Sequence, residues 1–219
     1  MAPADAPATP PEALPQRLRA ATQPLHALAE RSGVMALLMA GRLPQAGYRA
    51  LLMNLKVIYA ALEAGLQRQA AQPWMRGIPI EALRRLPSLE ADLSGQPAPG
   101  GAIPAPTRAY ADRLDRLTAA GDPALLAHVY TRYLGDLHGG QIMARIVARR
   151  YPGQGTAFHD FGDEAEVRRH RERLRAALSA VVLSADQADA VVAEACWSFE
   201  QHQRIFEALA AADAQGLPS

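Results

Sequence analysis

Cysteine, lysine and aromatic side chains are all scarce in this sequence, and each scarcity excludes something. Cys196 is the only cysteine in 219 residues, so neither an intramolecular disulfide nor a cysteine-cluster metal site can form. Aromatics make up 5% of the chain, against an abundance of Ala, Leu and Arg; strand-forming material is thin and helix formers dominate. Net charge is missing as well. The 23 Lys and Arg against 22 Asp and Glu leave +1, without the global basic field that accompanies nucleic-acid binding. No apolar run approaches the ~18 residues of a membrane span. The N-terminal MAPADAPATPPEA lacks the basic and apolar regions of a signal peptide. These absences predict a soluble, cytoplasmic, monomeric protein with no nucleic-acid or membrane partner. They also predict a disordered leader over 1–13, one domain over 14–212 and a flexible tail over 213–219.

What is present reads as helix. Leu14, Leu18, Ala21, Leu25 and Leu28 recur at steps of four and three, the spacing of one helical face. Pro24 falls within that pattern and predicts a kink, at a cost of about 3 kcal/mol in a regular interior. A second helix opens at Pro44 with the stripe Leu51, Leu55, Ile58, Leu62 and Leu66. A shorter helix follows Pro79, a Pro/Gly loop covers 95–106, and helix resumes from Thr107. Asp122-Pro123 reads as the start of a long helix that Tyr151-Pro152-Gly153 ends. A basic helix spans roughly 164–181, and Ser184 with Gln187 forms a capping box for the last one. The fold class is all-α.

The most unusual stretch is YLGDLHGG, 133–140. Three helix-interior glycines cost roughly 0.5–1 kcal/mol each relative to alanine, so Gly135, Gly139 and Gly140 need a reason. Close helix packing or simple breakage would supply one; so would a flat ligand lying against bare backbone. Asp136 favours the ligand, because a carboxylate beside an apolar face is expensive unless it orders water or takes part in chemistry.

YTRYLGDLHGGQ closely resembles the signature of heme oxygenases, in which this helix covers the distal face of heme. LRAATQPLHALAE (18–30) looks like the family's proximal segment, and KVIYAALE, the Tyr110 segment and WSFEQHQRIFEAL match in kind and order. The likeness covers most of 14–210, and only the leader, 69–106 and 151–163 match weakly. It implies a single-domain heme oxygenase-like multi-helical fold with heme b, both cofactor and substrate, sandwiched between a proximal and a distal helix. The implied reaction yields biliverdin, carbon monoxide and ferrous iron from heme, dioxygen and external electrons. No flavin or nucleotide motif occurs, so the donor would be a separate ferredoxin, flavodoxin or reductase.

The resemblance also implies roles. His26 matches the axial iron ligand, and neutral imidazole suits a heme held without a CxxCH attachment. Glu30 resembles the residue that receives the ligand's other N–H. Asp136 matches the distal aspartate, ordering the water that delivers protons to bound oxygen without binding iron. Tyr59, Arg132, Tyr110 and His202 fall where the family places the rest of that network, although Asn is more usual at His202. Arg19, Arg168 and Arg171 would meet the heme propionates; a solvated face or a docking surface for an acidic redox partner also explains the basic helix. Met35, Leu38 and Phe199 line the pocket or simply pack in the core.

His138 stands where the family usually has Ser. Pointed at the iron, it would compete with dioxygen; its position about 200° around the helix from Asp136 predicts that it faces away. With His202 it keeps open a second reading, a non-catalytic heme carrier or sensor on the same fold. A third is a thiaminase-like enzyme, whose chemistry needs a nucleophilic cysteine. Cys196 has no recognisable general base beside it.

Overall fold

The Leu51–Leu66 stripe organises the molecule. The structure, a computed structural model, describes residues 13–94 and 102–214. Helix α3 (Gln45–Arg68) buries all five stripe residues. It packs on α4 (Leu86–Leu93) and α5 (Ala105–Ala120). The long α9 (Ala185–Ala214) is the other strut and touches α1 (Leu14–Glu30), α2 (Gly33–Met39), α3, α5 and α6 (Leu125–His128). Helices α7 (Gly135–Arg150) and α8 (Glu164–Ser179) complete the set. Among the described residues there is no strand, as the composition predicts. None of their helices is long and apolar enough to cross a membrane.

Several boundaries follow the local chemistry. Ser184 and Gln187 close the expected capping box, with Ser184 N–H donating to Gln187 Oε1 at 2.9 Å and Gln187 N–H to Ser184 Oγ at 3.2 Å. Helix α8 has a similar box in Asp163 and Glu166. Asp122 accepts a hydrogen bond from Ala124 N–H at 2.8 Å, but regular helix begins only at Leu125, because a turn follows Pro123. Helix α1 continues through Pro24 to Glu30. Most of the leader reading, residues 95–101 of the loop reading and 215–219 of the tail reading lie outside the described residues. The tail reading is corrected at its start, since α9 continues through Asp213 and Ala214.

Two expectations change. Leu28 is 54% exposed: α1 buries the line Leu18, Thr22 and Ala29 against its neighbours, and Leu28 sits about 100° off that line at 3.6 residues per turn. The irregularity in the long helix is also displaced from its glycines. A π-helical turn, Val129–Leu134, precedes Gly135, while Gly135, Gly139 and Gly140 are themselves helical. Such π turns are uncommon and concentrate at functional sites.

Two connections hold neighbouring helices in close register. Gly33, at φ +44°, lets α2 pass so close to α9 that a Cβ there would meet the Phe206 carbonyl oxygen at 2.0 Å. The 151–163 connection is stapled from outside. Asp92 accepts from Ala157 N–H at 2.9 Å and Phe158 N–H at 2.8 Å. Arg85 donates to Asp160 O at 2.6 Å and lies 3.9 Å over the Phe161 ring.

Candidate functional site

A cleft opens between α1 and α2 on one side and the π turn with α7 on the other. It holds about 1100 Å³ of empty space, part of it open to solvent. His26, Glu30, Met35 and Leu38 line it from the first side, and Arg132, Gly135, Asp136, Gly139 and Gly140 from the second; Phe199 and His202 of α9 close the back. A more open hollow of about 1300 Å³ adjoins it around His26, Gly135 and Phe199. That hollow is lined by Arg19, His138 and Arg175.

The imidazole on the α1 wall is loosely held. The His26 side chain is 48% exposed, its Nδ1 is 3.6 Å from Glu30 Oε2, and its ring meets Phe199 edge-on at 5.6 Å. Among the described residues, neither ring nitrogen has a hydrogen-bond partner within the usual range.

The α7 wall carries a connected hydrogen-bond network. Asp136 accepts from the Tyr59 hydroxyl on one oxygen and from Arg132 Nη2 on the other at 3.2 Å. Arg132 Nη1 donates to His202 Nε2 at 2.9 Å, and His202 Nδ1–H donates to Ser198 O at 2.7 Å. Because a guanidinium only donates and a carbonyl only accepts, His202 is a neutral Nδ1–H imidazole. Burial and the Arg132 charge hold its pKa well below the ordinary histidine range. Burial pushes the Asp136 carboxyl up, while Arg132 and the Tyr59 hydrogen bond pull it down.

The wiring runs deeper. Tyr110 OH lies 2.7 Å from Ser198 Oγ and 2.8 Å from His128 Nδ1. His128 Nε2–H donates to Glu194 Oε1 at 3.1 Å, and Arg113 Nη2 to Glu194 Oε2 at 2.5 Å. Burial opposes ionisation of Glu194, but the bonds from His128 and Arg113 prevail and lower its pKa to about 2.

Not every residue singled out in the sequence lines the cleft. Tyr59 and Tyr110 stand behind the wall: Tyr59 donates to Asp136 and meets Phe158 edge-on, and Tyr110 meets His202 edge-on and bonds Ser198 and His128. Arg168 and Arg171 line neither hollow; Arg175, on the same face one helical turn past Arg171, does so instead. The face of α8 was legible, but which of its turns meets α1 and α7 depends on how the helices cross. His138 faces the outer hollow only, its Nδ1–H donating to Leu134 O at 2.5 Å and its Nε2 accepting from Arg175 at 2.9 Å. Both nitrogens of His138 and of His202 are therefore taken, which removes the observation that favoured a bis-histidine carrier.

The glycines divide by function. A Cβ at Gly140 would lie 2.9 Å from the His159 carbonyl oxygen, so this glycine serves packing; at Gly135 and Gly139 it would meet nothing within 4 Å. Their bare backbone faces open cleft, as a flat ligand requires. Sequence reading missed Tyr48, Phe158 and His159, which close the far end. Tyr48 OH and His159 Nε2 lie 3.0 Å apart, and burial lowers the His159 pKa to about 4. Lacking helical periodicity, the 157–159 turn gave no signal; long-range staples place it.

These features fit an iron porphyrin. Apolar walls take the ring, bare glycines pass its face, an imidazole without a strong partner faces it, and arginines without a carboxylate partner among the described residues stand at the mouth. Comparison with known proteins agrees. The sequence profile described as heme oxygenase matches residues 12–208. Heme oxygenase 1 of Nostoc sp. is 31% identical over 209 residues, covering 90% of this chain and 85% of the relative. The heme oxygenase of Rhodella violacea is 32% identical over 200 residues, covering 88% and 85%. Among solved structures, heme oxygenase-1 of Synechocystis in complex with heme superposes with a TM-score of 0.84 at 30% identity. That match covers 94% of this chain and 96% of the other. The chain belongs to the heme oxygenase family, the oxidoreductases that degrade heme and for which heme is both cofactor and substrate.

Proposed function

We propose that this chain opens heme to biliverdin, carbon monoxide and ferrous iron in the cleft between α1 and α7, using dioxygen and electrons from outside. The observation that carries the assignment of the cleft is the pairing of His26 on one wall with Asp136 on the other, across the bare backbone of Gly135 and Gly139. Heme, when bound, supplies the iron that activates dioxygen and the ring that is cleaved.

His26 binds the iron from α1, with Glu30 restraining its Nδ1 side. Arg19 and Arg175, which line the outer hollow, meet the carboxylates at the mouth. Met35, Leu38 and Phe199 exclude water from the ring faces. Arg132 and Tyr59 each occupy one lone pair on an Asp136 oxygen, so each oxygen keeps another for water. A carboxylate fixed by two donors, with lone pairs left for water, orders the water through which protons reach the reaction. His202, fixed as a neutral acceptor, keeps Arg132 aimed at Asp136, and Tyr110 stiffens the helix pair behind through Ser198.

The finer reading is a cytoplasmic monomer served by a separate ferredoxin, flavodoxin or reductase, because the sequence has no flavin or nucleotide motif. Reconstitution with hemin followed by ascorbate or a ferredoxin system tests the reaction. Loss of the Soret band with growth of a broad red biliverdin absorption is expected. An unchanged, low-spin six-coordinate spectrum would overturn it.

A further inference from the structure

We infer that His138 is a positioning residue for carboxylate recognition: it orients the Arg175 guanidinium at the cleft mouth without neutralising it. The inference rests on the heme reading of the cleft and concerns a side chain for which that reading has no use.

The hydrogen bonds define the imidazole completely. Leu134 O can only accept, so His138 Nδ1 carries the proton; that leaves an Nε2 lone pair, and Arg175 Nη2 donates to it at 2.9 Å. The bond spans α7 and α8. A serine, the more usual residue in the resembling signature, is too short to reach across.

The choice of acceptor matters because of what it lacks. Arginine most often finds a carboxylate, which both orients and neutralises it. Here a neutral ring takes one N–H and leaves the charge whole. Arg175 makes no ion pair among the described residues, and its remaining N–H donors have no protein partner there. Arg19, across the same hollow on α1, likewise has no acidic partner among them. Two uncompensated cations at the mouth of an apolar cleft select a ligand that is flat, apolar and carboxylated. His138 contributes by fixing one of them before the ligand arrives, since a free arginine side chain carries substantial rotamer entropy.

The test compares affinities for hemin and for hemin dimethyl ester, whose carboxylates are blocked, by Soret titration. Pre-orienting one long side chain corresponds to about a 3- to 10-fold change in affinity. His138→Ser is expected to weaken hemin binding by that factor and to leave ester binding unchanged. His138→Gln, whose amide oxygen can accept from Arg175, is expected to restore hemin binding. In an Arg175→Gln background, His138→Ser is expected to add nothing. Equal weakening for hemin and ester, or a full effect that persists without Arg175, would show a structural role and overturn the inference. So would unchanged hemin binding in His138→Ser while the wild type binds normally. Wild-type protein that binds neither compound would instead overturn the heme reading, and this inference with it.

Discussion

The two walls of the cleft are built by opposite rules. On α7 the polar side chains are buried and mutually committed: Asp136 to Tyr59 and Arg132, Arg132 to His202, His202 to Ser198. On α1 the key side chain is half in water, with one weak carboxylate contact and one ring edge. The difference fits the role proposed for each wall. Groups that manage protons need fixed geometry before anything binds, and burial makes unsatisfied members expensive. A group that ligates iron needs a free lone pair, so its strongest partner must come from the ligand.

The contrast predicts where mutations act. Arg132→Leu strips Asp136 and His202 of their shared partner and is expected to cost about 3–5 kcal/mol of folding stability, as when one member of a buried pair is removed. His26→Ala is expected to leave stability within about 0.5 kcal/mol, as for other exposed sites, while abolishing ordered heme ligation. Urea melts and hemin spectra of the two variants check both; a large loss of stability in His26→Ala would erase the distinction between the walls.

The glycines sharpen it further. Gly140→Ala drives a Cβ against the His159 carbonyl oxygen and is expected to destabilise by about 1–3 kcal/mol, the usual range for overpacking. Gly139→Ala meets open space. In the ligand-free protein it is expected to gain about 0.5–1 kcal/mol from helix propensity, yet to weaken hemin binding because the added methyl occupies the ring's place. Thermal melts with and without hemin separate the two effects, and unweakened hemin binding in Gly139→Ala would place the ligand elsewhere.

A pH-dependent effect lies deepest behind the α7 wall. Glu194 has a pKa lowered from 4.5 to about 2, so its stabilising contribution is complete above pH 4.5 and is lost as pH falls toward 2. Glu194→Gln forfeits that contribution at neutral pH. Its melting temperature is expected to fall less steeply than the wild type's across the same window; parallel curves would mean that Glu194 does not anchor the network.

Much of this was legible because helices and short contiguous segments carry it. The 3.6-residue stripe of α3, the Ser184 box and the 135–140 glycines are local signals, and two short segments, 18–30 and 130–141, carry His26 and Asp136, which line one cleft. What escaped depends on tertiary placement. Phe158 and His159 reach the cleft because Asp92 and Arg85 hold their backbone, and residues far apart in sequence leave no periodic trace. Arg175 shares a face with Arg168 and Arg171, and which turn of α8 borders the outer hollow depends on how the helices cross. The π turn before Gly135 has no composition of its own.

The proposed arrangement puts heme between the α1 and α7 walls with His26 on its iron. An anomalous difference map at the iron edge, from crystals of the hemin-loaded protein, tests it most directly. The account predicts one iron peak bonded to an imidazole nitrogen of His26, with Gly135 and Gly139 against the opposite ring face and Asp136 outside ligating distance. Iron bonded to His138 or His202, or a peak outside this cleft, would contradict it.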